Sequence, residues 1–140
     1  ALAAADVRAL PFPDGSFDVV WCRLVLGHLP ELGPAYAELG RVAAARGATL
    51  VVTDFHPEAA RAGHARTFRD AAGRLWSVEH YAHAPAAHEE AAAAAGFRPA
   101  ARLELRVGPA VRALYARAGR LDAYAAQQGL RLVLALCFAR

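Results

Sequence analysis

Runs of apolar residues and helically spaced apolar residues follow one another along the chain, and their order predicts a βαβ unit near the N-terminus. Segment 17–22 is rich in β-branched and aromatic residues and follows turn-forming residues at 13–16, which indicates a buried strand. Residues 34–45 place apolar side chains at helical spacing, and Gly47 is predicted to end this helix. Segment 48–54 is apolar without alternation, which is typical of a strand covered on both faces of a parallel sheet.

The pattern after residue 56 predicts further helices and strands. Apolar spacing, alanine content and the positions of glycine and proline define these elements. In order, they are a short helix at 57–65, a hairpin with strands at 67–70 and 75–81 around Gly73, a helix at 86–95 ended by Gly96, a half-exposed strand at 102–107, a helix at 109–128 kinked at Gly119 and ended by Gly129, and a final strand at 130–138.

Composition narrows the class of protein. The 140 residues and the 56% hydrophobic content suit one domain with a real core. No window approaches the roughly 18 consecutive apolar residues of a membrane span, and no basic stretch leads into an apolar segment at the N-terminus, so we expect a cytoplasmic protein without a membrane partner. Cys22 and Cys137 lie in apolar runs, which favours two buried thiols over a disulfide.

Charge and the starting residue add two expectations. The net charge is +3, but the arginines are dispersed among acidic residues, so no nucleic-acid partner is predicted. The chain contains no methionine, and Ala1 opens at what reads as the transition from a strand to a loop. We therefore expect an N-terminally truncated fragment of a longer protein.

Two segments resemble a known family. The first is Asp6-Val-Arg-Ala-Leu-Pro-Phe-Pro-Asp-Gly-Ser-Phe-Asp-Val-Val, followed by His28-Leu29 and by Glu38-Leu-Gly-Arg-Val. This series resembles the D-x-x-x-L-P-F-x-D-x-S-F-D-x-V, H-L and E-x-x-R-V motifs of class I S-adenosylmethionine-dependent methyltransferases of the quinone and biotin pathways. The second is Gly96-Phe97 after an alanine-rich helix, which resembles the A-G-F before the sixth strand of that family.

The resemblance implies the fold. It is an α/β class, a partial Rossmann-like class I methyltransferase fold, with an open, mostly parallel sheet, an antiparallel last strand and helices on both faces. Residues 1–140 would form a single methyltransferase-like domain, with a hairpin or lid at 66–83 and a helical insertion at 109–128. The glycine-rich loop and the acidic residue that hold the methionine portion and the ribose in the family lie upstream of Asp6 and are absent from this sequence.

The resemblance also implies S-adenosylmethionine as cofactor. Asp6 would accept the adenine amino group, and the backbone N–H of Val7 would serve a ring nitrogen. Cys22 and Arg23 end the first strand, where ligands of open parallel sheets bind. The alternatives are a turn or capping role for Asp6 and a surface ion pair for Arg23.

Methyl transfer from a sulfonium needs an aligned acceptor and, for O or N acceptors, removal of a proton. Histidine is the natural base near neutral pH, and His28 and His56 follow the two predicted parallel strands. Asp54 would orient one of them or bind the acceptor. The alternatives are a helix-start or packing role for His28 and a loop role for His56.

Aromatic residues of the hairpin segment are candidates for the acceptor pocket. Trp76, Tyr81 and His83 are predicted to bind substrate, with core packing as the alternative. His80, His83 and His88 do not predict a metal site, because a strand-to-helix transition does not align them on one face. The helix at 109–128 is expected to cover the pocket or to pair with a second subunit in a homodimer.

These observations predict an enzyme that transfers a methyl group from S-adenosylmethionine to an O, N or C atom of a small-molecule acceptor, with the 140-residue chain expected to be incomplete and inactive alone. The alternative is a non-catalytic methyltransferase-like scaffold or partner subunit that cannot bind the cofactor. That alternative predicts an exposed sheet edge and an apolar surface.

Overall fold

The computed structural model describes residues 2–140, which fold around a four-stranded mixed sheet. The strands are β1 (Val19–Arg23), β2 (Thr49–Phe55), β3 (Arg66–Arg69), β4 (Leu75–Val78), β5 (Arg98–Arg106) and β6 (Arg131–Ala139), and the helices are α1 (Gly33–Val42), α2 (Pro57–Arg61), α3 (Pro85–Ala94), α4 (Arg112–Arg117) and α5 (Leu121–Gln127). The sheet order is β1-β2-β6-β5, and β3 pairs with β4 in a separate hairpin.

The sheet directions confirm the predicted fold class. β1 and β2 run parallel, with Val20 opposite Leu50. β6 lies between β2 and β5 and is antiparallel to both. A strand inserted antiparallel between parallel neighbours is the antiparallel last strand that the sequence led us to expect.

Helices α1 and α3 cover one face of the sheet. Alternate residues of each strand point to this face, because side chains alternate along a strand. The fully buried members include Leu50 and Val52 of β2 and Leu134 of β6, which pack against Tyr36 and Leu39 of α1. This layer forms the hydrophobic core of the residues described.

The opposite face of the sheet carries exposed apolar side chains. Val19 and Trp21 of β1 keep 65% and 64% of their surface accessible, and Leu103 and Leu105 of β5 keep 61% and 51%. Strand alternation and register place these side chains on the face away from α1 and α3. We call this surface the open sheet face.

Three helices differ from the sequence prediction. The predicted helix at 57–65 ends at Arg61, because Ala62 leaves the helical conformation and Gly63 has a φ of +82°. The predicted helix at 34–45 ends at Val42, because Ala43 takes an extended conformation and forms a parallel bridge with Phe17. The predicted helix at 109–128 is two helices, because Gly119 has a φ of +64° and the chain turns there between α4 and α5. The breaks after Arg61 and at Gly119 are local, whereas the end of α1 coincides with a bridge between residues far apart in sequence.

Two arginines fasten loops and helix ends to this core. Arg41 of α1 donates to the carbonyls of Leu10 and Phe12 and pairs with Asp14 and Glu38, which ties the loop at 10–14 to the helix. Arg140 donates to the carbonyl of Gly40 in the last turn of α1 and to that of Ala43, the residue directly after the helix. Positive charge at the C-terminal end of a helix is favourable, because the last carbonyls carry partial negative charge.

Candidate active site

The parallel strands β1 and β2 end at the same edge of the sheet, and the chain segment after β4 meets them there. Arg23 lies opposite Thr53 in the register, so the residues after β1 lie beside Asp54. Leu24 has a φ of +54°, which is rare for a residue with a side chain and turns the chain sharply into a short 3-10 turn at Leu26–His28. The backbone N–H of Tyr81 donates to the carbonyl of Gly27 at 2.8 Å, which brings the segment after β4 to the same place.

Six polar residues gather at this edge, and we call them the edge cluster: His28, Asp54, Arg66, His80, His83 and His88. Asp54 keeps 2% of its surface accessible and His88 keeps 1%. Buried charged and polar groups are costly unless they are paired, so a gathering of this kind indicates a site rather than ordinary packing.

Asp54 forms the centre of the edge cluster. Its Oδ1 accepts a hydrogen bond from the backbone N–H of Phe55 at 2.8 Å and lies 3.5 Å from Nη2 of Arg66. Its Oδ2 has no hydrogen-bond partner among the described residues and lies 3.9 Å from Nε2 of His88. Burial raises the pKa of Asp54, because the charged carboxylate loses solvation.

Both ring nitrogens of His28 are engaged. Nε2 is bonded to Nη1 of Arg66, and since a guanidinium can only donate, Nε2 is the acceptor. Nδ1 therefore carries the hydrogen and donates to the carbonyl of Glu79 at 3.2 Å. In this arrangement the electron pair of Nε2 accepts the hydrogen bond from Arg66.

His88 and Tyr36 form a buried pair behind Asp54. The hydroxyl of Tyr36 lies 3.1 Å from Nδ1 of His88. Burial lowers the pKa of His88 to about 4, because a protonated ring would lose its solvation in the core. The pair lies on the core side of Asp54, and no hydrogen bond joins Nε2 of His88 to Oδ2 of Asp54 in residues 2–140.

His80 belongs to the edge cluster, although the sequence did not indicate it as a candidate site residue. Both of its ring nitrogens are buried and have no hydrogen-bond partner in residues 2–140. The ring packs at 5.5 Å from Phe55 and 6.3 Å from His28, and burial together with the charge of Arg66 lowers its pKa. A side chain on Gly27 would collide with this ring and with Asp54, so glycine leaves the space that His80 fills.

In the sequence, His80 stood out only as a member of a set with His83 and His88 that does not predict a metal site. Within residues 2–140 there is no group of three or more side chains arranged to hold a metal ion. Spacing along the chain carried no sign that His80 would pack onto the end of β2, because a tertiary contact places it there.

His56 lies apart from the edge cluster. Its Nδ1 accepts a hydrogen bond from the backbone N–H of Glu58 at 3.1 Å and so caps the N-terminus of α2. Its Nε2 lies 3.8 Å from Oε1 of Glu104, and burial lowers its pKa. None of these contacts involves His28, so the structure does not bring the two predicted bases together.

Of the predicted substrate residues, Asp54 and His83 belong to the edge cluster, whereas Tyr81 and Trp76 lie outside it. His83 is in the cluster, where its Nε2 donates to the carbonyl of Leu29 at 2.8 Å, and Tyr81 stacks on its ring. Trp76 lies further out on β4, 45% exposed, and donates from Nε1 to Asp70 at 2.8 Å.

A cavity of about 290 Å³ lies at the end of β1 next to the edge cluster. Val7, Cys22 and Arg23 line it, together with apolar residues that include Leu10 and Leu39. The backbone N–H of Val7 forms no hydrogen bond with any residue from 2 to 140. Burial raises the pKa of the Cys22 thiol to about 11, which keeps it neutral at pH 7.

Asp6 lies beside this cavity but is already paired. Its carboxylate binds Arg8 at 2.6 Å, and both side chains are about half exposed. The hydrogen bonds from Arg8 lower the pKa of Asp6 to about 2. The carboxylate is therefore charged at neutral pH and has electron pairs left for a further donor.

A larger cavity, of about 620 Å³, opens between the loop before β3 and helices α4 and α5. Its wall includes His64, Thr67, Tyr115 and Arg120. Thr67 and Arg66 point to opposite sides of β3, so this cavity lies behind the strand whose front faces the edge cluster.

No helix of residues 2–140 has both the length and the apolar character that crossing a bilayer requires.

Comparison with known sequences identifies relatives of the N-terminal part. Residues 1–51 match a family described as a methyltransferase domain. The chain is 46% identical over 54 residues to a malonyl-[acyl-carrier protein] O-methyltransferase of Halorhodospira halophila, and that match covers 39% of this chain and 18% of the relative. It is also 46% identical over 54 residues to a 2-methyl-6-phytyl-1,4-hydroquinone methyltransferase of Synechocystis, covering 39% and 17%. The matches span less than a fifth of these two relatives.

Comparison with solved structures covers nearly the whole chain. An S-adenosylmethionine-dependent methyltransferase from Mesorhizobium loti superimposes with a TM-score of 0.68 at 18% identity, over 97% of this chain and 68% of that one. A geranyl diphosphate C-methyltransferase from Streptomyces coelicolor gives 0.67 at 15% identity, over 99% and 51%. These likenesses confirm the fold, and with the sequence matches they confirm the family resemblance stated above.

Proposed function

Because the chain has the fold of class I S-adenosylmethionine-dependent methyltransferases and residues 1–51 match a methyltransferase domain, we propose that it transfers a methyl group to an O, N or C atom of a small-molecule acceptor. One observation carries this proposal. The cavity at the end of β1 and the edge cluster at the end of β2 are neighbours on one edge of the sheet. Ligands of open α/β sheets bind at this edge.

The residues at the end of β1 fit the adenine end of the cofactor. A planar ring needs apolar walls, an acceptor for its amino group and a donor for a ring nitrogen. Leu10 and Leu39 are wall residues, Asp6 is a charged acceptor beside the cavity, and Val7 offers an unused N–H. Cys22 and Arg23 complete the wall. When bound, the cofactor supplies a methyl group on a positively charged sulfur, ready for displacement by a nucleophile.

The chain's own contribution to the reaction is to align the acceptor and take its proton. His28 is the base in this proposal, since its Nε2 is the acceptor nitrogen of the ring. Arg66 donates a hydrogen bond to Nε2, so it must move away before His28 can accept a proton from the acceptor. The carboxylate of Asp54 lies 3.5 Å from Nη2 of Arg66 and, through its charge, positions the guanidinium and so the base.

Tyr81, His83 and Trp76 are proposed as the wall of the acceptor site, and the hairpin of β3 and β4 as its lid. His56 stays a predicted catalytic residue, and its capping of α2 favours a structural role. A homodimer through the segment at 109–128 also stays a prediction.

A second candidate function rests on the open sheet face. Four large apolar side chains exposed on one sheet face favour association with another chain. A non-catalytic partner subunit would use this surface and would bind no cofactor.

Calorimetric titration of S-adenosylhomocysteine into the 140-residue chain tests the first candidate against the second. Saturable binding that weakens in Asp6→Asn, with no change in Asp122→Asn, supports the methyltransferase function, since Asp122 lies far off on α5. A folded chain that binds no S-adenosylhomocysteine, and elutes from size exclusion as an oligomer that Trp21→Ser dissociates, supports the partner subunit.

A further inference from the structure

The guanidinium of Arg66 has hydrogen-bond donors that the described chain does not use. Nη1 donates to the carbonyl of Leu24 at 2.9 Å and to His28. Nε and Nη2 are buried and have no hydrogen-bond partner in residues 2–140. Nη2 lies 3.5 Å from Asp54, which is an ion contact too long for a good hydrogen bond. Buried donors without acceptors are costly, so this edge of the guanidinium is a place where an acceptor is missing.

The edge is also held in a fixed orientation. The guanidinium carbon lies 4.8 Å from the centre of the Phe55 ring, so one face of the plane is covered. The bond of Nη1 to the carbonyl of Leu24 restricts the rotation of the plane and does not depend on His28. A donor pair that is already oriented loses little entropy when it binds.

We propose that Nε and Nη2 of Arg66 bind the carboxylate of the methyl acceptor, which makes the acceptor a small organic acid. The inference rests on the proposed function and names the substrate class of that site. A carboxylate presents two oxygens in a plane, and these match the two parallel N–H groups along this edge of an arginine. Burial raises the pKa of Asp54, so the carboxyl group that faces the same edge holds its negative charge less firmly than an exposed aspartate.

The rest of the hairpin indicates what the acid carries. Arg66 and Phe68 point to the same side of β3, and Trp76 lies directly opposite Phe68 on β4. Phe68 is 53% exposed and Trp76 is 45% exposed, with the guanidinium of Arg74 5.7 Å from the centre of the Trp76 ring, so the two facing rings form an exposed aromatic pair. From Arg66 outward the hairpin therefore presents an aromatic surface, and an acid with a flat apolar body fits both parts.

The structure gives this binding step a consequence for catalysis. Arg66 holds the electron pair of His28 in the absence of an acid. A carboxylate on the opposite edge of the guanidinium draws Arg66 toward itself and away from His28. The same molecule that is to be methylated would then release the base.

Benzoate and benzamide are suitable probes, because they share a flat apolar body and differ in the carboxylate. They are titrated into the full chain while the ¹H–¹⁵N signals of Arg66 Nε and Trp76 Nε1 are followed by NMR. We expect a saturable shift of both signals with benzoate and at least about tenfold weaker binding of benzamide. Arg66→Lys keeps the charge but removes the two parallel N–H groups, and it should lower the benzoate affinity about tenfold. Arg69→Lys, on the same strand with its side chain on the other face, should keep it.

Equal binding of benzoate and benzamide would overturn the inference, and so would full benzoate affinity in a folded Arg66→Lys variant. Phenyl phosphate bound more tightly than benzoate would overturn the assignment of a carboxylate. If the lysine variant does not fold, the unmodified chain decides, because benzoate saturation without movement of the Arg66 Nε signal contradicts the proposal. The S-adenosylhomocysteine titration is separate, so a chain that binds one ligand and not the other shows which proposal has failed.

Discussion

The buried His88 predicts how the stability of this protein depends on pH. The ring stays neutral in the folded chain down to a pKa of about 4, whereas an exposed histidine has a pKa of 6.5. Between these values the unfolded chain binds a proton that the folded chain does not. The stability due to His88 is therefore fully present above pH 6.5 and is lost as the pH falls toward 4.

The size of the loss follows from the two pKa values. Each unit of difference is worth about 1.4 kcal/mol, so linkage gives a loss of about 2 kcal/mol by pH 5 and about 3 kcal/mol by pH 4. Asp54 acts in the opposite direction, because its pKa is raised and the folded chain takes up its proton more readily. Comparison with a variant that lacks only the His88 titration separates the two effects.

His88→Gln is that variant, since glutamine does not titrate and can still accept a hydrogen bond from Tyr36. Urea unfolding at pH 7, 6, 5 and 4 and constant ionic strength gives the free energy of unfolding of both proteins. We expect the parent to lose about 2 kcal/mol more than the variant between pH 7 and pH 5. His64→Gln makes the same change outside the core and measures the background of the substitution. A difference between parent and His88→Gln that stays within about 0.5 kcal/mol over this range would refute the reasoning.

Three further predictions follow from burial and hydrogen bonding. Leu50→Ala removes a fully buried side chain and should lower the free energy of unfolding by about 3 kcal/mol in urea, whereas Leu103→Ala on the open sheet face should cost less than about 1 kcal/mol. Arg41→Ala removes the donors that hold the loop at 10–14, so amide hydrogens of that loop should exchange faster while those of β2 do not change. The buried Cys22 thiol, with its raised pKa, should react with a disulfide reagent at pH 8 only after denaturant is added.

The order of elements was accessible from sequence because most signals are local. The apolar runs of β1 and β2 and the glycine after α3 identify those elements without any tertiary knowledge. The end of α1 was not accessible, because Ala43 and its neighbours are good helix formers and only the bridge to Phe17 makes Ala43 extended. The break at Gly119 was predicted as a kink, since glycine alone does not tell how far the chain turns.

The candidate site was accessible in part for the same reason. His28 and Asp54 could be placed together because parallel strands end at one edge of a sheet. Arg66 and His80 could not, because they reach that edge through the hydrogen bonds of the hairpin segment to Leu24 and Gly27. Those contacts join residues far apart in sequence and leave no periodic or compositional signal.

The central position of β6 sets an order for folding during synthesis. β6 is the last strand along the sequence, yet it lies between β2 and β5, and it is the only strand with which β5 pairs in the described chain. As a ribosome releases the chain, β1, β2 and α1 can assemble early, while β5 emerges with no strand to pair with. The sheet closes only when the segment that pairs Ala139 with Thr49 has left the ribosome. Until then the backbone groups of β5 and the apolar residues of β2 stay open to other chains, so slow release of the final strand favours aggregation over folding.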